Sequence, residues 1–435
     1  MACSVSMPDP SPHPSTGADT PAAPSGSTPP PPRSFAALHH PGYRWLVGTY
    51  FLAMMADNVE HVISYWMVFQ KFQSPALAGF AVVSHWLPFL LFSLPVGALT
   101  DRIDPRRMIQ FGLALFALAS GAWAWLFITD TLQIWHAMVL LVLHGCAGVF
   151  WQGATQVLLH DVLPREQLPS GVRLLATSRY LGLLVGPAVG GAIMLTAGPR
   201  WGLVWNMLFY LPGLLWLWRA PYGPRFRSAP TAPPRAVRGF KDIWQTLREV
   251  RSNRLVSSMI LLAGLASFFV ANSYQALMPA FANDLGHGDP GTTYSMLLAA
   301  DAAGALLAGV LLESRGGIAA TPGLAIGFAI AWCGALAGFA ISHSYPLALV
   351  LLFVAGICEL AFSSMAQSLV QLNAPAASRG RVIGLYNMSA LGLRSFAGLT
   401  VGLGGSALGI HASLAGSAIV LMAVLVWLRW RVARP

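Results

Sequence analysis

Residues 97–107, GALTDRIDPRR, place five charged side chains in eleven positions of a chain that is only 10% charged. The apolar run 78–96, AGFAVVSHWLPFLLFSLPV, precedes them, and the run 108–128, MIQFGLALFALASGAWAWLFI, follows them. About 20 apolar residues in a row are long enough to cross the hydrocarbon core of a membrane as a helix. The pattern therefore predicts a short charged loop between two membrane-spanning helices.

The same alternation of apolar runs and short polar loops continues along the whole chain. Its 435 residues are 55% hydrophobic, with a mean hydropathy of +0.60, a composition that favours a membrane protein over a water-soluble one. The sequence therefore predicts an all-α integral membrane protein. Its twelve transmembrane helices are expected at residues 45–69, 76–99, 108–129, 134–159, 174–196, 201–218, 255–281, 293–312, 321–342, 346–372, 382–404 and 408–428.

Most basic residues lie at the chain ends or in alternate loops. Of the 26 Lys and Arg, 22 lie at the N-terminus, in the loops after even-numbered spans, or at the C-terminus. Basic loops stay on the cytoplasmic side of a membrane. We therefore expect a multi-pass protein of the cell inner (cytoplasmic) membrane, with both termini in the cytoplasm. The net charge of +10 reflects this topology within a lipid bilayer and indicates no nucleic-acid partner.

Cysteine spacing and catalytic motifs give no sign of a cofactor or an enzyme. The four cysteines are Cys3, Cys146, Cys333 and Cys358. Their scatter has neither the spacing of a metal site nor that of a disulfide framework. GxSxG and HExxH motifs are absent, and His160-Asp161 stands at a span end without an evident nucleophile. We expect no cofactor, no metal and no catalytic residue.

Proline and charge mark the domain boundaries. Ten of the 31 prolines precede residue 33, which is typical of a disordered tail. The stretch 219–254 holds nine basic and two acidic residues, and its second part has the spacing of an amphipathic helix on the anionic inner leaflet. The predicted divisions are a Pro-rich cytoplasmic tail (1–40), an N-terminal six-helix bundle (41–218), a basic linker (219–254), a C-terminal six-helix bundle (255–429) and a cytoplasmic C-terminus (430–435).

The two bundles repeat one another. The segment from Gly97 to Asp101 recurs 212 residues later from Gly309 to Glu313, and residues 163–182 recur 210 residues later. Two landmarks at nearly the same offset indicate duplication of a six-helix unit, which is common in secondary transporters. The predicted fold is thus two six-helix pseudo-repeats.

GALTDRIDPRR resembles the loop signature of the major facilitator superfamily: a glycine, then Asp-Arg, then a basic pair. The matching residues are Gly97, Asp101, Arg102, Arg106 and Arg107. The resemblance covers about residues 40–430. It implies the major facilitator fold, a monomer, and a small-molecule substrate together with protons as partners.

The resemblance also implies that this loop is a latch between helices. Gly97 allows close packing of a helix end, and Asp101 can accept from a helix N-terminus and from arginine. We expect the latch to stabilise the outward-facing state with the cytoplasmic side closed. An ordinary basic loop is the alternative, although it requires neither residue. In the second copy Glu313 lacks the basic pair, so we expect that latch to be weaker or absent.

A second resemblance lies in the fifth span, which matches the glycine–proline signature of antiporter branches of the superfamily. The matching residues are Gly182, Gly186, Pro187, Gly190 and Gly191. Small residues four apart allow two helices to approach, and a proline removes one helical hydrogen bond. A generic tight helix crossing is the alternative. By family analogy, the signature implies export rather than uptake.

Ionisable residues inside the spans are the candidate binding and proton-coupling groups, because charge at membrane depth is costly and usually functional. In the first span Asp57, Glu60 and His61 share one helical face. The other charged candidates are Arg179, Asp301, Glu359 and Arg394. Further polar and aromatic candidates for a cavity are Gln152, Gln156, Asn272, Gln275, Gln367, Asn387, Trp66, Trp86, Trp151 and Tyr386.

Several roles compete for these groups. Two close carboxylates hold a proton more readily than an isolated one, and the family resemblance supports Asp57 most as the coupling acid. Structural ion pairing is the alternative for Arg179 and Arg394. Hydrogen bonding within the bundle is the alternative for His85 and His144.

The leading hypothesis is a proton-coupled exporter of small organic molecules that works by alternating access. RGRV at residues 379–382 resembles the drug and siderophore exporter branch. A lipid or lysophospholipid flippase of the same fold, or an importer, is the alternative. Acidic cavity residues favour a cationic or neutral amphiphile and the arginines an anionic carboxylate or catecholate, so the substrate charge stays open.

Overall fold

Capping residues and prolines in the sequence mark where helices begin. Ser74 precedes the second helix, and its Oγ accepts a hydrogen bond from the Leu77 amide at 3.3 Å. Asp104 precedes the third helix and accepts from the Arg106 amide at 3.0 Å. Pro105 follows it as the first helical residue, where a missing N–H costs nothing. Local sequence thus fixes where the chain turns back into the membrane.

The first half of the chain forms seven α-helices within the described residues 34–226. The computed structural model describes residues 34–226, 240–271, 273–276, 278–285, 293–314, 318–397 and 408–433. The helices of the first half are α1 (Pro41–Phe72), α2 (Pro75–Thr100), α3 (Pro105–Ile128), α4 (Ile134–Val162), α5 (Leu168–Thr196), α6 (Gly198–Leu208) and α7 (Leu211–Arg219).

The second half continues with the same kind of helix. These helices are α8 (Phe240–Ser252), α9 (Arg254–Phe269), α10 (Ser273–Ala276), α11 (Met278–Asp284), α12 (Thr293–Ser314), α13 (Pro322–Ile341), α14 (Tyr345–Asn373), α15 (Arg379–Asn387), α16 (Arg394–Ala397) and α17 (Ile410–Ala433). One π-helical turn, Met388–Gly392, lies between α15 and α16. The described ranges contain no strand.

The predicted fold class is confirmed. The helices follow the order of the twelve predicted spans, and within the described ranges eight are long and apolar enough to cross a membrane, or nine if α8 and α9 count as one. Helix α1 is not among the eight, although it has 32 residues. Its buried Asp57 and Glu60 lower its mean hydropathy.

Three predicted spans are divided into shorter helices. The sixth is α6 and α7, the seventh is α9 to α11, and the eleventh is α15, the π-helical turn and α16. Pro212 and Pro279 lie at the second positions of α7 and α11, where they cannot continue a preceding hydrogen-bond ladder. Ala271 has a φ of 39°, which ends α9. Hydropathy alone does not reveal these breaks.

The linker helix α8 lies at a sharp angle to α9 and packs Thr246 and Val250 against the bundle. The segment Trp244–Ser252 is bent by 115° from α9, and the Trp244 side chain is 75% exposed. This geometry is compatible with the predicted amphipathic helix on the inner leaflet, which stays a prediction. The predicted tail up to residue 33 and the linker residues 227–239 lie outside the described residues.

Buried apolar side chains form separate cores in the two halves. One cluster is made almost entirely by residues from Val250 onward. Two others are made almost entirely by residues up to Leu217. The boundaries of the predicted domains stay a prediction, but each half has an interior of its own.

The halves meet through α2 against α15 and through α5 against α12. Some of these contacts lie at one end of the bundle. This end carries the loops 101–104, 163–167 and 374–378, and we call it the basic end. At this end Arg165 of the first half donates to the Leu372 carbonyl of the second at 2.8 Å. Positive charge predicts that the basic end faces the cytoplasm.

Candidate functional site

A cavity of about 240 Å³ lies between the two halves. Side chains from both halves form its wall, so any movement of one half against the other changes its shape. Its polar and charged lining residues include Asp57, Asn58, His61, His85, Gln152, Arg179, Gln275, Glu359 and Arg394. The structure thus brings five of the seven predicted ionisable candidates to one cavity.

On the first half, His144 joins the two acids of α1. Its Nε2 lies 2.7 Å from Asp57 Oδ1, and its Nδ1 lies 2.8 Å from Glu60 Oε1. All three residues are buried, but only Asp57 borders the cavity. The sequence predicted a functional stripe of Asp57, Glu60 and His61, whereas the residue that joins the two acids is His144 from α4.

This arrangement holds a definite number of protons. Each of the two His144 contacts needs one proton, and an imidazole with both nitrogens protonated supplies both. The three groups together then carry one negative charge. Glu60 also accepts from the Ser120 hydroxyl, and Asn206 donates to Ser120 Oγ at 3.1 Å. A chain of polar contacts therefore runs from the cavity into the interior of the first half.

His61 and His85 complete this wall. The His61 Nδ1 lies 2.7 Å from the Asp57 carbonyl oxygen, and the His85 Nδ1 is buried without a hydrogen-bond partner among the described residues. One ligand-capable atom each of His61, His85 and His144 lies within 4.8 Å of the other two. A metal ion could reach these atoms only by displacing a carboxylate from His144, because both His144 nitrogens are engaged.

On the second half, one tyrosine hydroxyl contacts two carboxyl groups. Tyr274 Oη lies 3.2 Å from Asp301 Oδ2 and 3.4 Å from Glu359 Oε2. Gln275 donates to the same Asp301 oxygen at 3.1 Å. A hydroxyl has one proton to donate, so bridging both acids requires a proton on one of them. The sequence singled out Asp301, Glu359 and Gln275 but missed Tyr274.

The two arginines border the cavity from opposite halves. Arg179 comes from α5 and lies over the Tyr180 ring at 5.2 Å. Arg394 begins α16 and lies over the Trp86 ring of α2 at 5.0 Å. Its Nε donates to the Ala390 carbonyl at 3.1 Å. Neither guanidinium has a carboxylate within 4.0 Å among the described residues, so the structure does not pair them as the ion-pair alternative requires.

A second, smaller cavity of about 80 Å³ shares Gln152, Arg179 and Arg394 with the first. Among the further polar and aromatic candidates, those that border one of the two cavities are Gln152, Gln156, Gln275, Gln367, Asn387, Trp86 and Tyr386. Trp151 instead stacks on Tyr50 at 4.7 Å. Trp66 is half exposed, and Asn272 lies outside the described residues.

The glycines of α5 pack against the helix that carries Asp57. A methyl group on Gly182 would meet Met54 Cβ at 2.7 Å, and one on Gly186 would meet Asn58 Cβ at 2.5 Å. Gly190 also faces α1, at Val59, whereas Gly191 faces open space. Pro187 lies inside α5, which continues through it. The glycines therefore set how closely α5 approaches the acidic stripe of α1.

At the basic end, Asp101 lies on the N-terminus of α15. Its Oδ1 accepts from the Gly380 amide at 2.6 Å, and its Oδ2 accepts from the Arg381 amide at 3.3 Å. Gly97 packs directly against the Gly380 carbonyl, with no room for a side chain. These contacts join α2 of the first half to α15 of the second.

The three predicted latch arginines are arranged differently. Arg106 donates to the Asp104 carboxylate at 2.6 Å and to the Ala220 carbonyl at 2.5 Å, both in the first half. Arg107 is exposed and donates to Gln110 Oε1 at 2.9 Å. Arg102 is exposed. Gly97 and Asp101 of this loop contact the second half at α15.

The prediction of a weak or absent latch in the second repeat is wrong, because Glu313 makes close contacts with the first half. Glu313, 1% exposed at the end of α12, lies 2.5 Å from the Arg173 Nε of α5. It also accepts from the Ser170 hydroxyl at 2.6 Å. The sequence showed the missing basic pair after Glu313, but it did not show that an arginine from the other half takes its place.

Comparison with known proteins gives the same architecture. The sequence profile described as Major Facilitator Superfamily matches residues 46–399. The E. coli fucose:proton symporter FucP superposes with a TM-score of 0.68 at 13% identity, covering 92% of this chain and 99% of that one. A bacterial homologue of the iron transporter ferroportin, in an outward-facing state, superposes with a TM-score of 0.67 at 19% identity, covering 89% and 98%.

The sequence is also similar to three named bacterial proteins. The multidrug efflux pump Tap of Mycolicibacterium fortuitum is 25% identical over 82% of this chain and 88% of its own. The enterobactin exporter EntS of Shigella boydii is 25% identical over 89% and 92%. MdtD of Citrobacter koseri is 24% identical over 38% of this chain, and this chain spans about a third of its length (34%).

Proposed function

Because the chain belongs to the Major Facilitator Superfamily, we propose that it is a proton-coupled exporter of small organic molecules in the cytoplasmic membrane. This family consists of transporters that are generally not enzymes, and the chain is a multi-span membrane protein. The proposal adds the coupling ion, the direction of transport and the machinery.

One observation carries the proton coupling: His144 bridges Asp57 and Glu60 beside the cavity. The bridge holds two protons in two short contacts and exposes only Asp57 to the cavity. Loss of one proton leaves two carboxylates facing one neutral imidazole inside a membrane bundle, which is costly. A proton is therefore bound and released at this bridge as the cavity changes its surroundings.

The placement of the cavity supports alternating access. Its wall comes from both halves, and the contacts of Asp101 and Glu313 join the same halves at the basic end. Breaking those two contacts and forming others at the opposite end exposes the cavity to the other side. Rocking of two halves about a midplane site is the usual form of this movement.

Export, rather than import, is supported by two features. Tap and EntS, which match over most of their lengths, are named as an efflux pump and an exporter. The α5 glycines that resemble the antiporter signature pack against the Asp57 segment, so the same helix pair holds the coupling acid. In an antiporter, inward proton movement drives outward substrate movement.

The proposal is tested with Asp57→Asn and a matched control. A susceptibility panel in an efflux-deficient bacterium identifies a transported compound, which is then followed in proteoliposomes with an imposed pH gradient. Asparagine keeps the size and a hydrogen bond but cannot exchange a proton. We expect Asp57→Asn to lose uphill transport and keep downhill exchange, whereas Asp130→Asn, an exposed loop acid paired with Lys71, should behave as the wild type. Uphill transport by Asp57→Asn at the wild-type rate would contradict the coupling role.

A further inference from the structure

Arg179 and Arg394 border the cavity, and no described residue forms an ion pair with either of them. Within the described residues neither has a carboxylate within 4.0 Å, and each guanidinium instead lies over an aromatic ring. A guanidinium offers five N–H donors. Among the described residues, the Ala390 carbonyl accepts a hydrogen bond from the Arg394 Nε. Both residues border both cavities, so their remaining donors face the space between the halves.

The cavity acids do not meet this demand for acceptors. Asp57 is engaged by His144 at 2.7 Å, and Glu359, although it borders the same cavity, lies more than 4.0 Å from both guanidinium groups. An arginine at membrane depth is costly unless it pairs with an anion or faces a wet cavity. The cavity therefore holds an excess of strong hydrogen-bond donors, all on permanently charged groups.

The backbone beside Arg394 is also unusual. The π-helical turn Met388–Gly392 ends two residues before Arg394, and such turns occur mostly at functional sites. Within this turn, Gly392 packs directly on Leu90 of α2, where a methyl group would meet Leu90 Cα at 2.6 Å. This contact fixes the start of α16 against the first half and sets Arg394 over Trp86.

We propose that the substrate is an organic oxyanion whose charged group bridges Arg179 and Arg394. A carboxylate or a comparable planar oxyanion can accept from two guanidinium groups at once. Its apolar body fits beside Trp86, Leu183 and Val82, which border the same cavity. Because the two arginines come from opposite halves, the bound anion ties the halves together, and its departure frees them to move.

The anion site deepens the proposed function, and it rests on that function in placing the substrate in this cavity. Its test is a binding equilibrium without a proton gradient, so it is independent of coupling and direction. If Asp57→Asn keeps uphill transport but the anion binds as expected, the protein has an anion site and its transport is driven in another way. The reverse result would leave the coupling role intact and remove the anion site.

The experiment compares three probes of the same shape: sodium benzoate, benzylammonium chloride and benzyl alcohol. The full-length protein in lipid nanodiscs is titrated with each at constant ionic strength, and the unfolding temperature is recorded, since a ligand of the native state raises it saturably. We expect benzoate to raise it and the other two to raise it less. A greater rise with benzylammonium, or no saturable rise with benzoate, overturns the proposal without any variant.

Variants then assign the site. Arg179→Gln and Arg394→Gln should each weaken benzoate binding by about tenfold or more, as expected for loss of charge-assisted hydrogen bonds. Arg179→Lys and Arg394→Lys keep the charge and should retain part of the affinity. Arg200→Gln, at an exposed position in the first turn of α6, is the matched control and should bind as the wild type. Unchanged benzoate affinity in both glutamine variants overturns the two-arginine site.

Discussion

Glu313 at the end of α12 and Arg173 near the start of α5 form a buried ion pair, with Nε and Oε1 2.5 Å apart. Glu313 occupies in the second repeat the position that Asp101 occupies in the first. Asp101 lies at the N-terminus of α15. Both contacts cross from one half to the other at the basic end. The two halves are therefore held at this end by two related acids with different partners.

Removing one member of the Glu313–Arg173 pair should open the basic end. Arg173→Met leaves a buried carboxylate unpaired, which costs about 3–5 kcal/mol, and this cost falls on the closed state. A single cysteine at Gln371, 1% exposed at the same end, should then react faster in a background without the native cysteines. The double variant Arg173→Met/Glu313→Leu should be milder than either single change. Equal effects in all three would contradict an ion pair that holds the halves.

The exposed pair Lys71–Asp130 provides a control for this prediction. Its atoms lie 2.8 Å apart, but the Asp130 side chain is 78% exposed. Solvent-exposed pairs contribute about 0–1 kcal/mol. Asp130→Asn should therefore change neither the unfolding temperature nor the reaction rate at position 371 measurably.

Closure of the basic end should depend on pH through Asp101. Burial raises the pKa of the Asp101 carboxyl to about 6, although the amides of Gly380 and Arg381 act to lower it. When the halves part, Asp101 meets water and its pKa returns towards the ordinary aspartate value of about 3.9. The closed state then binds a proton more tightly, so lowering the pH from about 7 to about 5 should favour closure.

The measurement is the reaction rate of the cysteine at position 371 across that range. The rate should fall as the pH falls, after correction for the thiolate fraction of a free thiol. Asp101→Asn removes the titrating group and keeps one acceptor, so its rate should be flat. A wild-type rate that rises with acidification, or an equal slope in Asp101→Asn, would show that another group sets the pH dependence.

His144→Gln should uncouple transport from the proton gradient. Glutamine can contact both acids but cannot carry the second proton, so Asp57 and Glu60 are left as like charges. We expect loss of uphill transport and a lower unfolding temperature. Glu60→Gln in the same chain should restore much of the stability by removing one charge, but not the coupling. His343→Gln, in an exposed loop, is the control, and coupled transport by His144→Gln would refute the bridge as the proton site.

Gly186→Val should destabilise the pairing of α1 with α5. Its Cβ would meet Asn58 Cβ at 2.5 Å and the Met55 carbonyl at 3.0 Å, and overpacking of this kind costs about 1–3 kcal/mol. The unfolding temperature and the yield of folded protein should fall. Gly191→Ala, four residues beyond Pro187 and facing open space, should be tolerated. Equal tolerance of both changes would reduce the glycines to ordinary helix composition.

Much of the site was predictable as a set of residues and little of it as a set of contacts. Asp57, Glu359, Arg179 and Arg394 stand out because a charge inside an apolar run is rare and costly. Tyr274 could not be singled out in this way, since a tyrosine in a membrane helix carries no charge. Only its position between Asp301 and Glu359 gives it a role.

The sequence by itself determined the apolar spans, the duplication and the loop charges, because each is a local property of composition and spacing. It did not determine that His144 lies between two acids more than 80 residues away, nor that Arg173 meets Glu313 140 residues away. Those contacts depend on how far each helix is rotated about its axis and on which glycines allow it to approach its neighbour. Side chains on other helices set both quantities, so only the tertiary structure decided them.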